Sequence, residues 1–152
     1  MALVAFSISA SAQHGYWQQK VAYTMDVAVD HENHQFRGTQ KLVYTNNSPD
    51  TLDKVYYHLY FNAFQPGSMM DVRSRSIADP DRRVGSRIEA LKETEIGYHK
   101  IESLTQDGEA LDYQVIGRVV KVMLNNAIQP GRASVFNMTF NSQVPVQIRR
   151  SG

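Results

Sequence analysis

Hydrophobic and polar residues alternate along much of the chain. Between Val21 and Val29 every second residue is apolar, and the residues between them are alanine, threonine or aspartate. A period of two is typical of a β-strand with one buried face. The same alternation resumes at Phe36 and continues to Tyr44. The pattern therefore predicts two successive strands.

The segment that joins these strands is His31-Glu32-Asn33-His34. A zincin motif needs H-E-x-x-H on a helix, with a glutamate that deprotonates a metal-bound water. Here the spacing is one residue short, and the flanking patterns are those of strands. Two histidines on a polar turn also lack a third ligand held in place. We interpret the segment as the tip of a β-hairpin and predict no metal site there.

Further strands are predicted along the rest of the chain. A third runs from Val55 to Phe61, where His58 lies on the more polar face and is interpreted as a structural histidine. Asp107-Gly108 is a strong hairpin signal, and Pro130-Gly131 marks another turn before the alternating run that ends at Phe140. About seven short strands predict a mainly β fold, either an antiparallel β-sandwich or a strongly curved sheet.

One region, about residues 65–97, breaks the strand pattern. Asp79-Pro80 is typical of a helix N-cap followed by proline at the first helical position, with Val84, Ile88 and Leu91 at helical spacing. We predict one short amphipathic helix within this insertion. Arginines and aspartates are interleaved there, which favours a solvated, salt-bridged surface over an anion site.

Composition narrows the classes of function. The 152 residues suit a single domain, and 16 Lys and Arg against 15 Asp and Glu give no field of one sign that would attract nucleic acid. Cysteine is absent, which excludes thiol catalysis and disulfides. No apolar run approaches the ~20 residues of a transmembrane helix, so we predict no transmembrane segment. From the balanced charge we predict no nucleic-acid partner.

The N-terminus has the composition of a secretory signal. An apolar stretch ends in Ala10-Ser11-Ala12, the small-x-small pattern of a signal-peptidase site, and Gln13 would be the first mature residue. We interpret residues 1–12 as the C-terminal part of a signal peptide and predict a periplasmic or secreted protein. The alternative is the frayed N-terminus of a cytoplasmic protein.

Several segments, taken in order, resemble a known family: YTMDVAVD, FRG, VYYHLYFNAF, IQPG and VFNMTFNSQVP. This succession is similar to the N-terminal β domain of aminopeptidase N-type zinc metallopeptidases, the gluzincins, and it covers residues 13–152. The inserted SMMDVRSRSIADPDRRVGSRI looks like exported members of that family from Bacteroidetes-type bacteria.

The resemblance implies a saddle-shaped, non-catalytic β domain. In that family the domain packs on a thermolysin-like catalytic domain of the same polypeptide and helps wall the peptide-binding cleft. Zinc, the H-E-x-x-H motif and a downstream glutamate belong to that second domain, and none of these motifs occurs here. The implied parent is a zinc metalloaminopeptidase acting on peptides, and this chain alone would have no activity. We accordingly assign no catalytic, cofactor-binding or metal-ligating residue to this chain, and expect zinc in the missing catalytic domain.

A second hypothesis is a self-contained secreted β-sandwich that binds a glycan or a protein. Trp17, Tyr56 and Tyr60 would then be exposed stacking residues. The two hypotheses differ in whether a metallopeptidase domain follows the chain.

Overall fold

The computed structural model describes residues 16–77 and 85–146, and this part of the chain is built mainly from strands. The strands are β1 (Lys20–Asp30), β2 (Gln35–Thr45), β3 (Leu52–His58), β4 (Tyr98–Gln106), β5 (Glu109–Ala110), β6 (Tyr113–Ile116), β7 (Val119–Ile128) and β8 (Ala133–Gln143). Among the described residues between β3 and β4 are one α-helix, α1 (Met69–Ser76), and two short 3₁₀ turns. The predicted mainly β class is confirmed.

The strands form two antiparallel sheets. The large sheet has the order β1-β2-β8-β4-β5, and the small sheet has the order β3-β7-β6. Strand β8 is the centre of the large sheet, pairing with β4 on one side and with all 11 residues of β2 on the other. The sheets pack face to face around a core centred on Phe136, Val120 and Val122. The chain is thus an antiparallel sandwich with layers of unequal width.

The predicted turns are confirmed. His31–His34 connects β1 to β2, and there the Asp30 carboxylate accepts hydrogen bonds from the Asn33 backbone and side-chain amides. These bonds lower the pKa of Asp30. Asp107 and Gly108 both have positive φ, 51° and 93°, as a tight hairpin turn between β4 and β5 requires.

Strand β3 has the predicted length of seven residues, but it begins and ends three residues earlier than predicted. It ends at His58, and residues Tyr60–Ala63 form a 3₁₀ turn instead of continuing the alternation. Within this turn the Asn62 backbone N–H donates a hydrogen bond to the Leu59 carbonyl. The Asn62 side chain accepts a hydrogen bond from the backbone N–H of His99 at 2.8 Å. A contact with a strand 37 residues away therefore overrides the local pattern.

The described part of the insertion contains an α-helix that precedes the predicted N-cap. Helix α1 begins after Ser68, whose side chain accepts a hydrogen bond from Asp71 N–H at 3.1 Å, while the Asp71 carboxylate accepts one from Gly67 N–H. The arrangement differs from a reciprocal capping box, because the Asp71 carboxylate bonds the residue before the N-cap, while Ser68 N–H donates to the Gln65 carbonyl. The proposed cap at Asp79-Pro80 lies outside the described residues. Ile88, expected on an α-helix, lies in a 3₁₀ turn and is fully buried.

A buried asparagine ties the two layers together at one end. Asn46 follows β2 of the large sheet, and its side-chain amide donates to the Ile128 carbonyl at the end of β7 in the small sheet. The same amide donates to the Asp50 carbonyl, and its oxygen accepts from Ser48 N–H. Because these polar atoms are bonded, Asn46 is buried at little cost.

Gly38 in β2 has no room for a side chain. A Cβ at Gly38 would collide with the backbone carbonyl oxygen of Asp26 and lie 3.2 Å from the Phe140 ring. We predict that Gly38→Val lowers the free energy of unfolding by ~1–3 kcal/mol or more, measured by urea denaturation. Gly117→Asn is the control, because Gly117 has φ 58° with open space around it and asparagine tolerates that conformation. Equal losses in the two variants would contradict this reading of Gly38.

Candidate functional site

The apolar face of β1 extends beyond the small sheet. Antiparallel register places Tyr23 opposite Leu42, and Leu42 opposite Phe136, so the apolar residues of β1 share a face with the buried core. Yet these residues are 40–75% exposed. We call this set the β1 row; its members are Val21, Tyr23, Met25, Val27 and Val29.

The exposure of the β1 row follows from the position of the small sheet. The far strand of that sheet, β6, is anchored over β4, where the Tyr113 hydroxyl donates to the Ile101 carbonyl at 3.0 Å. The near strand, β3, stops short of β1. Within the described residues the β1 row is therefore left uncovered.

A pocket of about 230 Å³ opens between the β1 row and β3. Its lining is mainly apolar and includes Met25, Val27, Phe36 and Phe140. Pockets that bind drug-sized ligands typically measure about 300–1,000 Å³. This one is smaller, and its size suits one or two side chains of a packing partner.

Two hydrogen-bond donors border the pocket without acceptors. Gln40 is 8% exposed, and its Nε2 has no partner among the described residues; the same holds for the buried Tyr57 hydroxyl. Burial, with a contribution from Tyr23, raises the pKa of Tyr57, so the hydroxyl keeps its proton and remains a donor. Unsatisfied buried donors cost about 1–3 kcal/mol each.

His99 also borders the pocket but is held in a structural role. Its Nδ1 lies 2.8 Å from the Ser142 hydroxyl oxygen. Its ring stacks on the ring of Phe61, with the two ring centroids 4.4 Å apart. Burial lowers the pKa of His99, which favours the neutral imidazole. Ser142 is fully buried, so its hydroxyl has no access to a substrate. The pair therefore lacks the exposed nucleophile that covalent catalysis needs.

The histidines noted in the sequence lie apart from this pocket or are engaged in packing. His31 and His34 are on the β1–β2 turn, and His58 stacks on Tyr60 with ring centroids 5.4 Å apart. Across residues 16–77 and 85–146, no group of three His, Cys, Asp or Glu side chains is placed to hold a metal ion.

The three aromatic residues of the binding-module hypothesis are exposed, but the structure does not bring them together. Trp17 precedes β1 and lies at the end of the sandwich where β2 ends. There the neighbouring Gln18 carbonyl accepts a hydrogen bond from the Asn47 side chain. Tyr60 lies at the opposite end, in the 3₁₀ turn bonded to the start of β4. A single stacking platform is therefore not formed.

Comparisons with known proteins give a match at the level of structure. No family model matches the sequence, and no curated protein matches it. Solved structures of an M1 zinc metallopeptidase from Deinococcus radiodurans do match, with a TM-score of 0.51 and 11% sequence identity over 82% of this chain. A mutant of that enzyme matches over 85% of this chain, and a mutant two-domain M1 zinc metallopeptidase bound to L-tryptophan over 82%, each with a TM-score of 0.51 and 11% identity.

The likeness is one of fold. It extends over 20% to 23% of the solved chains, so this chain spans about a fifth of their length. The two-layer β architecture is thus that of a part of M1 zinc metallopeptidase chains. In the described part of the chain, no helix has the length and apolarity needed to cross a membrane.

The unpaired Gln40 amide leads to a prediction about stability. We expect Gln40→Leu to leave the melting temperature of the 152-residue chain unchanged or to raise it, because the variant removes an unsatisfied donor from an apolar setting. Thermal unfolding followed by circular dichroism measures this.

The matched control is Gln106→Leu. Gln106 is also buried, with 1% exposed against 8% for Gln40, but its Nε2 donates to the Asn126 carbonyl and to the Ser134 hydroxyl, and its Oε1 accepts from Asn126 N–H. Its replacement leaves those groups unpaired and should cost about 1–3 kcal/mol. A larger loss for Gln40→Leu than for Gln106→Leu would contradict the assignment.

Proposed function

We propose that this chain is the N-terminal, non-catalytic β domain of an M1, aminopeptidase N-type zinc metallopeptidase. It packs on the catalytic domain of the same polypeptide and helps wall the cleft in which that domain binds its peptide substrate. The observation that carries the proposal is the exposed β1 row, found on a fold shared with part of M1 metallopeptidase chains.

The β1 row supports a packing role on physical grounds. Large contiguous apolar surfaces are uncommon on monomeric proteins and mark sites of interaction. Domain interfaces within one chain bury about 600–1,500 Å². Five apolar side chains along the 11 residues of β1, next to an apolar pocket, provide a continuous part of such an interface.

The proposal assigns the zinc to the remainder of the polypeptide. The histidines and carboxylates of the described residues are not grouped as metal ligands. The Ser142 hydroxyl beside His99 is buried. The contribution of this chain to activity is therefore a surface that shapes and supports the catalytic domain.

The complete gene product tests the proposed function. We expect an H-E-x-x-H motif within the next couple of hundred codons, about one zinc per polypeptide by elemental analysis, and hydrolysis of N-terminal residues from peptides. The 152-residue chain, as the matched control, should contain no stoichiometric zinc and have no peptidase activity. A stop codon directly after Gly152 would favour the self-contained binding module instead.

Export is part of the proposal and rests on the sequence of residues 1–12. Cleavage after Ala12 would give a mature protein that begins at Gln13. Mass spectrometry of periplasmic or secreted material should find that N-terminus, whereas an intact Met1 on cytoplasmic protein would contradict it. Origin in a Bacteroidetes-type bacterium is likewise a prediction from the sequence of the insertion.

A further inference from the structure

The two layers of the sandwich differ in width on the side of β1. The large sheet has both β1 and β2 on that side of β8, whereas, within residues 16–77 and 85–146, the small sheet ends at β3 and the sole partner of β3 is β7. Strand β3 thus presents an open edge directly beside the β1 row. Open edges are templates for pairing with another strand.

We propose that the open edge of β3 pairs with an additional β-strand supplied by the remainder of the same polypeptide. This strand extends the small sheet across the β1 row. The inference rests on the proposed function, because it names the element of the parent enzyme that covers this surface.

The hydrogen bonds of β3 identify the backbone groups that would receive the strand. Leu59 N–H donates to the Arg118 carbonyl at 2.8 Å, on the side of β7. In an antiparallel ladder the N–H groups of successive residues point to opposite sides. The backbone N–H groups of Val55 and Tyr57 therefore point toward β7. Those of Tyr56 and His58 point to the open edge.

The chemistry beside the edge defines the incoming segment. Apolar residues at alternate positions would lie on the β1 row, with one side chain in the 230 Å³ pocket. Carbonyl or side-chain oxygens of the segment would accept hydrogen bonds from Gln40 Nε2 and the Tyr57 hydroxyl, which otherwise lack partners. One extended strand thus accounts for the open edge, the apolar row and both donors.

A second copy of the chain fits this edge less well. Antiparallel pairing of two β3 strands about Val55 would place Lys54 opposite Tyr56, and Asp53 opposite Tyr57. Neither pair is an ion pair, so self-association gains no charge complementarity.

Hydrogen exchange of single backbone amides tests the proposal. We would compare the 152-residue chain with the complete gene product, using residue-resolved exchange measured by mass spectrometry. The Tyr56 and His58 amides should exchange at least ~100-fold more slowly in the complete gene product, because ladder bonds protect amides from exchange. The Val55 and Tyr57 amides, bonded to β7 in both samples, are the internal control and should be protected in both.

The outcomes separate this inference from the proposed function. Equal exchange at Tyr56 and His58 in the two samples would overturn the added strand, while zinc content and peptidase activity of the same gene product report on the proposed function. Protection of these amides in the 152-residue chain that rises with concentration, together with a dimer by light scattering, would identify a second copy as the occupant and overturn the proposal as well.

Discussion

Each strand of a two-layer β fold must bury one face against the opposite layer, and this requirement governs the molecule. Strand β8 meets it at the centre of the large sheet, where Phe136 is almost fully buried beneath the small sheet. Strand β1 does not, although its apolar residues continue the same face outward from Leu42. The sequence of β1 is therefore suited to a wider opposite layer than the three strands of the small sheet provide.

The strands and tight turns could be predicted from the sequence because their signals are local. The period of two in β1 and β2 and the Asp107-Gly108 turn need no knowledge of distant residues. The order of strands could not be predicted in this way, since β2 pairs with β8 almost 100 residues later. Strand β3 ends early for the same reason: the bond between Asn62 and His99 is a tertiary contact that the alternation does not report.

The helix begins at a local signal that the prediction from the sequence did not use. Ser68-x-x-Asp71 has the residue types of a helix N-terminus and could have been recognised in the sequence, as Asp79-Pro80 was. Three of the eight residues of α1 are serine or aspartate, and its only buried residue is Asp71. Apolar periodicity therefore gave no indication of this helix. Its position depends on the buried Asp71 carboxylate, which accepts from Gly67 N–H and pairs with Arg75.

The candidate site was only partly foreseeable, because it depends on which polar residues become buried. Gln40 lies between Gly38 and Leu42 on the face of β2 where the alternation would place an apolar residue. This polar exception could have been noticed in the sequence. Only the structure shows that the Gln40 Nε2 is unpaired, whereas the side chain of Gln106, which is also buried, is hydrogen-bonded at both its nitrogen and its oxygen. Natural folds leave few buried polar groups without partners. Unpaired donors at Gln40 and Tyr57, on the one side where the layers do not match, therefore indicate a packing surface in this part of the fold.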